Sequence, residues 1–303
     1  MKFLVEYPVR SGDGGGWLEP ENLVRFARAA EAGGIDAIAL TDHPAPPRRW
    51  LEAGGHETLD PFVGLAYFAA ATERIALMTH LVVAPYRNPL LMAKAMTSLD
   101  VVSGGRTIFA LGAGYLRSEF RALGVDFDDR NDLFDESLSA LTAVWSSEVL
   151  DFDGRGFTAR GQVLSPGPRQ RPHPPIWIGG NSARARERVA RWGQGWSPML
   201  APAGLSRAAR TAALESLDDL AVLVDDLGDR LEAHGRHRGA VDICVASPLR
   251  DQDVGAAAKV EAIEALAALG VTWTYADLDP SGGVDAALEH LEAFCRDVVA
   301  AVA

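Results

Sequence analysis

The chain alternates short β-rich runs with longer helical stretches eight times over, and few folds can absorb that rhythm. The predicted strands are Phe3–Tyr7, Ile35–Leu40, Ile75–Val83, Arg106–Leu111, Pro175–Ile178, Trp196–Leu200, Val241–Ala246 and Val271–Ala276. Helix-forming stretches separate and follow them. Pro20-Glu21 opens the first, its apolar residues Leu23, Phe26, Ala27 and Ala30 recur at helical spacing, and Gly33-Gly34 closes it. Asp60-Pro61 and Asn88-Pro89 open two more, which run to about Ala71 and Val102. Later helices span Leu133–Trp145, Ala183–Trp192, roughly Leu214–Ala233, Ala256–Leu269 and Val284–Ala301. Eight such units in 303 residues predict an α/β chain folded as one (β/α)8 TIM barrel. An open doubly wound sheet shows the same alternation, but the first strand–helix turn lacks the G-x-G-x-x-G fingerprint of that class.

One stretch breaks the rhythm. From Ser147 to Pro174 the chain carries a hairpin signal at Asp153-Gly154 and the run Ser165-Pro166-Gly167-Pro168-Arg169-Gln170-Arg171-Pro172. Fewer than about thirty residues cannot build a core, so this stretch is expected as an insertion over one barrel mouth within a single domain spanning residues 1–303.

Charge narrows the function. With 29 basic and 41 acidic residues the net charge is −12, which argues against a nucleic-acid or anionic-membrane partner. No apolar run approaches the roughly 20 residues of a membrane span, and Glu6 and Pro8 come too early for a signal peptide. Cys244 and Cys295, far apart, read as reduced thiols, so a cytoplasmic location is expected. Only Lys2, Lys94 and Lys259 are lysines. Lys94 and Lys259 sit in helix-like stretches and Lys2 opens the chain, which disfavours both a P-loop and Schiff-base chemistry.

In such a barrel the active site lies at the C-terminal ends of the strands. Strand two ends there in Thr41-Asp42-His43, a carboxylate beside an imidazole, which suits proton transfer; an Asx turn before Pro44 is the bland reading of the same residues. Strand four ends in Gly112-Ala113-Gly114-Tyr115, where missing side chains would let a planar ligand approach the backbone. Gly179-Gly180-Asn181-Ser182 leads into a helix and can form either an anion site or a plain N-cap. His80 lies in an otherwise apolar strand, as core histidines do, although one face of that strand can open into the mouth. Asp42, His43 and His80 could converge on a metal, but strand one lacks a His-x-His pair and His234-Gly235-Arg236-His237 reads as solvated surface, so no metal is expected.

Taken together, Thr41-Asp42-His43, Thr79–Val83 with Pro85 and Asn88-Pro89, Gly104-Gly105-Arg106 with Gly112-x-Gly114 and Glu119, and Pro174–Gly180 with Gly195-Trp196 resemble the bacterial luciferase-like superfamily. Within it, the closest likeness is to the F420-dependent oxidoreductases of actinobacterial type. The resemblance implies that Asp42 hydrogen-bonds the deazaflavin ring and that His43 is the proton donor or acceptor near its reactive carbon. It implies a cis peptide at His80-Leu81, forming a bulge beneath the ring, and contacts to the cofactor from Ala113, Gly114 and Ser118. Gly179, Gly180, Asn181 and Ser182 would bind its phosphate.

Tyr115 stands where sugar-phosphate dehydrogenases of this type place a catalytic Glu, and it is carried as a candidate catalytic residue beside His43. No lysine is available to hold a substrate phosphate, so an apolar or aromatic small molecule is the expected substrate, with Trp50, Tyr115 and Trp196 near the mouth. Three readings follow: hydride transfer with F420, a two-component monooxygenase using reduced FMN from a separate flavin reductase, or a flavin-binding protein without turnover. Homodimerisation through barrel helices is implied by the resemblance alone.

Overall fold

The computed structural model of the protein describes residues 1–11 and 15–302. Its main sheet has eight strands: β1 (Lys2–Glu6), β2 (Ala37–Leu40), β3 (Ala76–Val83), β4 (Thr107–Gly112), β7 (Ile176–Gly179), β8 (Gly195–Ser197), β9 (Asp242–Ile243) and β10 (Trp273–Tyr275). All neighbouring pairs are parallel, in the order β10-β1-β2-β3-β4-β7-β8-β9. A parallel bridge between Cys244 and Trp273 joins the two ends and closes the barrel. The expected TIM barrel is therefore present.

Helices α1 (Pro20–Ala32), α3 (Pro61–Ala71), α4 (Pro89–Val102), α6 (Arg130–Ser146), α7 (Ala183–Trp192), α9 (Leu217–Ala233), α10 (Ala256–Ala268) and α11 (Gly283–Phe294) follow the strands. Their starts are chemically specified. The Asp60 carboxylate accepts from the Phe62 and Val63 amides, and the Asn88 side-chain oxygen from the Leu90 and Leu91 amides, each ahead of a proline that has no N–H to satisfy. Inside the barrel, small residues such as Ala37, Ala39 and Ala110 leave room for Trp177 and Trp273, which meet edge to face with centroids 5.3 Å apart. Gly195 is part of that fit, because a Cβ there would overlap the Trp177 ring.

Several boundaries differ from expectation, for local reasons. The acidic helix starts at Leu217 instead of Leu214, because Ser216 and Asp219 form a capping box and Leu214 pairs with Ala201. Strand six stops at Ser197, ahead of Pro198, and strand seven shrinks to Asp242–Ile243. The hairpin of β5 (Leu150–Gly154) and β6 (Phe157–Gln162) turns at Arg155-Gly156, two residues later than expected, with Gly156 at φ +89°. That hairpin is tied to α6, Arg155 pairing with Asp129 and Asp132. The Pro/Arg run that follows packs at the N-terminal end of β4, where Asp100 accepts from the Arg169 and Gln170 amides. The last helix passes through a π-type turn at Cys295–Val299 before α12 (Ala300–Val302). Three short helices were not expected: α2 (Arg48–Glu52), α5 (Arg117–Ala122) and α8 (Ala203–Ala208).

Candidate active site

A cavity of about 530 Å3 opens at the C-terminal ends of the strands, within the range of about 300–1,000 Å3 typical of cofactor and substrate sites. Its floor is shaped by an irregularity in β3. The register against β4 shifts between Thr79 and Val82, and the His80-Leu81 peptide is cis. The Leu81 side chain points across the barrel toward β4 and β7, and a Cβ on Gly112 or Gly179 would crowd it. Those two glycines make room for a leucine platform, not for a ligand directly.

On one wall stands His43, its side chain only 8% exposed. The wholly buried Glu119 carboxylate accepts from His43 Nδ1 (3.0 Å), the Tyr86 hydroxyl (3.0 Å) and the Ala45 amide (2.9 Å). Burial raises the Glu119 pKa, but these bonds outweigh it and hold the carboxyl below its ordinary range. An ionised Glu119 fixes the proton on Nδ1 and turns Nε2 to the cavity, 3.4 Å from the Tyr115 hydroxyl. Burial and the Glu119 charge push the Tyr115 phenol up to about 12, so it stays protonated. Trp50 and His56 close this wall, their ring centroids 4.5 and 5.1 Å from that of His43.

Across the cavity stands a second histidine–carboxylate pair. His80 Nδ1 lies 3.3 Å from Glu6 Oε1 and His80 Nε2 lies 2.8 Å from Ser197 Oγ. The Tyr275 hydroxyl sits 3.2 Å from His80 Nδ1, and the Arg250 guanidinium lies over the Tyr275 ring and 3.5 Å from Glu6 Oε2. Burial pushes the Glu6 pKa up, while His80, Arg250 and His56 more than reverse this and hold it below the usual range.

The third side is basic. Arg117, Arg130 and Arg210 all lie over the Phe127 ring, at 4.4, 4.0 and 5.1 Å from its centroid, and Arg130 and Arg210 line the cavity. Arg210 holds a left-handed backbone, φ +51°, a conformation uncommon outside glycine. Burial and the repulsion of Arg210 and Arg117 lower the Arg130 pKa. The N-terminus of α7 faces the same region, with Ser182 capping the Ala185 amide. This is a local concentration of positive charge in an acidic protein, offset in part by Asp128, which accepts from Arg117 (2.7 and 3.2 Å).

A family model described as luciferase-like monooxygenase matches residues 1–293. The chain belongs to that family. Among its relatives, an FMNH(2)-dependent dimethylsulfone monooxygenase of Pseudomonas putida is 34% identical over 125 residues, 40% of this chain and 34% of the relative. An F420-dependent glucose-6-phosphate dehydrogenase of Tsukamurella paurometabola is 32% identical over 184 residues, 58% of this chain and 52% of the relative. The chain thus spans about a third to a half of the length of these two curated relatives. The monooxygenase RslO1 from Streptomyces bottropensis superposes over both whole chains with a TM-score of 0.80 at 21% identity, a likeness of fold.

The luciferase-like barrel brings most of the expected residues together. Asp42, His43, His80, Leu81, Ala113, Gly114, Tyr115, Gly179, Gly180 and Ser182 all border the cavity. Asp42 is buried and its carboxylate is engaged within the protein, accepting from the Val83 amide (2.9 Å) and from Arg87 through both nitrogens (2.5 and 2.8 Å). Ser118 and Asn181 are not on the cavity wall. Ser118 sits on α5, and Asn181 is buried with its amide bonded to Met199 and Ala212. The Gly180 amide donates to the Ser197 carbonyl and the Asn181 amide to Thr211, so both are engaged within the protein. Trp196 is fully buried, its Nε1 donating to Gly180 O, so it is not a mouth residue. Among the described residues no group of three or more His, Cys, Asp or Glu is placed to hold a metal, and no helix is long and apolar enough to cross a membrane. Sequence reasoning assigned no role to Glu119, Tyr86, Glu6, Ser197, Arg250 or Tyr275; for Glu119 the available signal was its place four residues beyond Tyr115.

Proposed function

We propose that this protein is an oxidoreductase that transfers a hydride between the deazaflavin F420 and a small organic substrate with an apolar body. The observation that carries the choice is the arginine end of the cavity. A single phosphate needs the α7 N-terminus and one cation, whereas Arg130 and Arg210 both line the cavity and offer charge for more than one anionic group, the neighbouring Arg117 being paired with Asp128. The F420 side chain carries a phosphate followed by glutamyl carboxylates, which fits that surplus. F420-dependent relatives, the Tsukamurella paurometabola enzyme among them, support the same reading.

In this proposal Leu81 supports one face of the ring, and the first-turn amides of α7 with Arg130 and Arg210 hold the acidic tail. When bound, the cofactor supplies a carbon that accepts or donates a hydride. His43 holds or moves one proton at Nε2, kept in orientation by Glu119 at Nδ1. Tyr115 caps the same proton path as a neutral donor. The sugar-phosphate substrate of the dehydrogenase relatives is not carried over. The histidine wall is aromatic, and Leu200 and Met199 line the cavity, which contains no lysine.

A second reading, a reduced-FMN monooxygenase served by a separate flavin reductase, is favoured by the FMNH(2)-dependent relative at 34% identity. Side-by-side titration of F420 and FMN into the apo-protein, followed by fluorescence, separates the two. Micromolar or tighter F420 binding, at least tenfold tighter than FMN, is the expected result. Preference for FMN, followed by oxygen consumption with reduced FMN, would replace the first reading with the second, and binding of neither would support a protein without turnover.

A further inference from the structure

Arg250 lies in the loop between β9 and α10, borders the cavity and has a side chain only 24% exposed. A guanidinium carries five N–H donors, yet that of Arg250 donates no hydrogen bond among the described residues, and its Nε is buried without a partner. Glu6 Oε2 lies 3.5 Å from a terminal nitrogen and Asp251 Oδ2 lies 3.4 Å from Nε, near enough to balance charge but not in hydrogen-bond geometry. Glu6 is half engaged in the same way: Oε1 meets His80 Nδ1, while Oε2 accepts no hydrogen bond among the described residues. A donor set and an acceptor thus stand side by side on one wall of the cavity. We infer that this pair anchors the substrate through a neutral carboxamide or lactam, whose carbonyl accepts from Arg250 and whose N–H donates to Glu6 Oε2. The inference rests on the hydride-transfer reading and names the substrate class: the amide is the handle, and the carbon that exchanges hydride lies elsewhere in the apolar body.

The surroundings hold Arg250 in place. Its guanidinium lies over the Tyr275 ring, 4.4 Å from the centroid, which fixes its plane. Asp251, the next residue, keeps a left-handed backbone at φ +59°, and its amide donates to the Asp277 carboxylate (3.4 Å). Asp277 is buried and paired with Lys259. Such a backbone persists where its neighbours over-determine it, and here they keep Arg250 on the cavity wall.

Charge selects the ligand. Burial disfavours the Arg250 cation, and Glu6 and Asp251 more than restore it. Glu6 stays ionised, its burial outweighed by His80 and Arg250. A substrate carboxylate would therefore meet a like charge at Glu6, and a substrate ammonium would meet one at Arg250. An ester or ketone would satisfy Arg250 and leave Glu6 Oε2 empty. An amide is uncharged and offers an acceptor to the cation and a donor to the anion. Met199, Leu200 and Ala246 also border the cavity and suit the apolar body. The anchor moves no proton, so the one proton of the hydride exchange stays with His43.

The test titrates the apo-protein at pH 7 with three probes that share one apolar body: cyclohexanecarboxamide, methyl cyclohexanecarboxylate and cyclohexanecarboxylate. The Arg250 Nε–H resonance, assigned through Arg250→Lys, is followed by NMR. The carboxamide is expected to move that resonance and to bind about fivefold or more tighter than the ester and the carboxylate, the margin of one hydrogen bond. Arg250→Gln should weaken the carboxamide by about fivefold or more, with F420 and FMN affinities within about twofold of the parent. Glu6→Gln leaves Arg250 without its counter-charge, so cyclohexanecarboxylate should gain about fivefold; a merely structural loss would weaken it instead. The inference is overturned by a parent that binds the ester or carboxylate as well as the carboxamide, by a still Arg250 resonance, or by a folded Glu6→Gln protein with no gain for the carboxylate. Equal losses of carboxamide, F420 and FMN in Arg250→Gln would also overturn it, since the wall would then read the imide edge of the cofactor ring. The parent's ranking of the probes needs no variant, so it decides even where a substitution prevents folding. It needs no cofactor either. A carboxamide preference in a protein that does not bind F420 removes the hydride-transfer reading and leaves the anchor, whereas F420 binding without that preference removes the anchor alone.

Discussion

Replacing Glu119 by Gln tests the construction of the His43 wall. The carboxylate is fully buried and receives three donors, from His43, Tyr86 and Ala45. A glutamine of the same shape offers one acceptor oxygen and one NH2 group, so either the Ala45 amide faces the NH2 or His43 and Tyr86 must give up their donor roles. Leaving a buried donor unsatisfied costs about 1–3 kcal/mol, and losing the charge-assisted share of the His43 bond adds about 1 kcal/mol. The Glu119→Gln protein should therefore be about 2–4 kcal/mol less stable at pH 7, with a Tm lower by about 3–6 °C, read by urea and thermal unfolding. The pH dependence follows from the direction of the shift. A carboxyl whose pKa is lower in the folded protein contributes fully above its ordinary pKa of about 4.3 and loses that contribution as pH falls through the lower folded value. The gap between parent and variant should be constant from pH 6 to 8 and narrow below about pH 4. A variant whose Tm stays within about 1 °C of the parent, or a gap that stays constant to pH 3, would refute the claim that an ionised Glu119 organises this wall.

Other outcomes are expected on the same grounds. His43→Ala should bind F420 within about threefold of the parent while turnover on a verified substrate falls by about 10²–10⁴, as loss of general acid–base catalysis predicts; equal turnover removes His43 from the chemistry. Asp42→Asn breaks a buried bidentate pair with Arg87 and should cost about 3–5 kcal/mol in urea unfolding, whereas a cost under 1 kcal/mol would show the pair to be solvent-screened. Gly179→Ala drives a Cβ into Leu81 and should cost about 1–3 kcal/mol, with weaker binding of both F420 and FMN; unchanged affinity would mean that Leu81 is not the ring's platform. Arg210→Ala should weaken F420 far more than FMN, and the difference should shrink at high salt; an equal loss for both would place Arg210 on the shared phosphate.

The barrel was legible because its signals are local. Apolar runs, Pro-initiated helices and the caps at Asp60, Asn88 and Ser182 each act within a few residues, and they mark elements that recur at nearly the expected positions. Asp42-His43 could be placed because strand ends in a barrel converge on one mouth. What the sequence could not convey is which groups meet across that mouth. Glu119 reaches His43 from 76 positions away and Tyr275 reaches His80 from 195, and no spacing rule encodes such a meeting. Asn181 and Ser118 show the converse. Polar residues beside a glycine turn resemble ligand contacts in a string of letters, but Asn181 is taken up by Met199 and Ala212, and Ser118 lies off the cavity wall on a helix only six residues long. Trp196 was misjudged for a related reason: its indole satisfies Gly180 from inside the wall.

The closing seam of the barrel has a mechanical meaning. β3, which carries the Leu81 platform, is eight residues long and flanked by β2 and β4, whereas β8, β9 and β10 have three, two and three residues. Resistance to breathing grows with the number of ladder bonds that must open together. The barrel is therefore stiff under the platform and compliant along the arc that holds Ser197, Arg250 and Tyr275. Amide exchange should be slowest at Met78 and Phe109 and fastest along that arc. A scaffold divided this way behaves as an anvil and a jaw, keeping a planar group level on one side while the other adjusts to guests of different width.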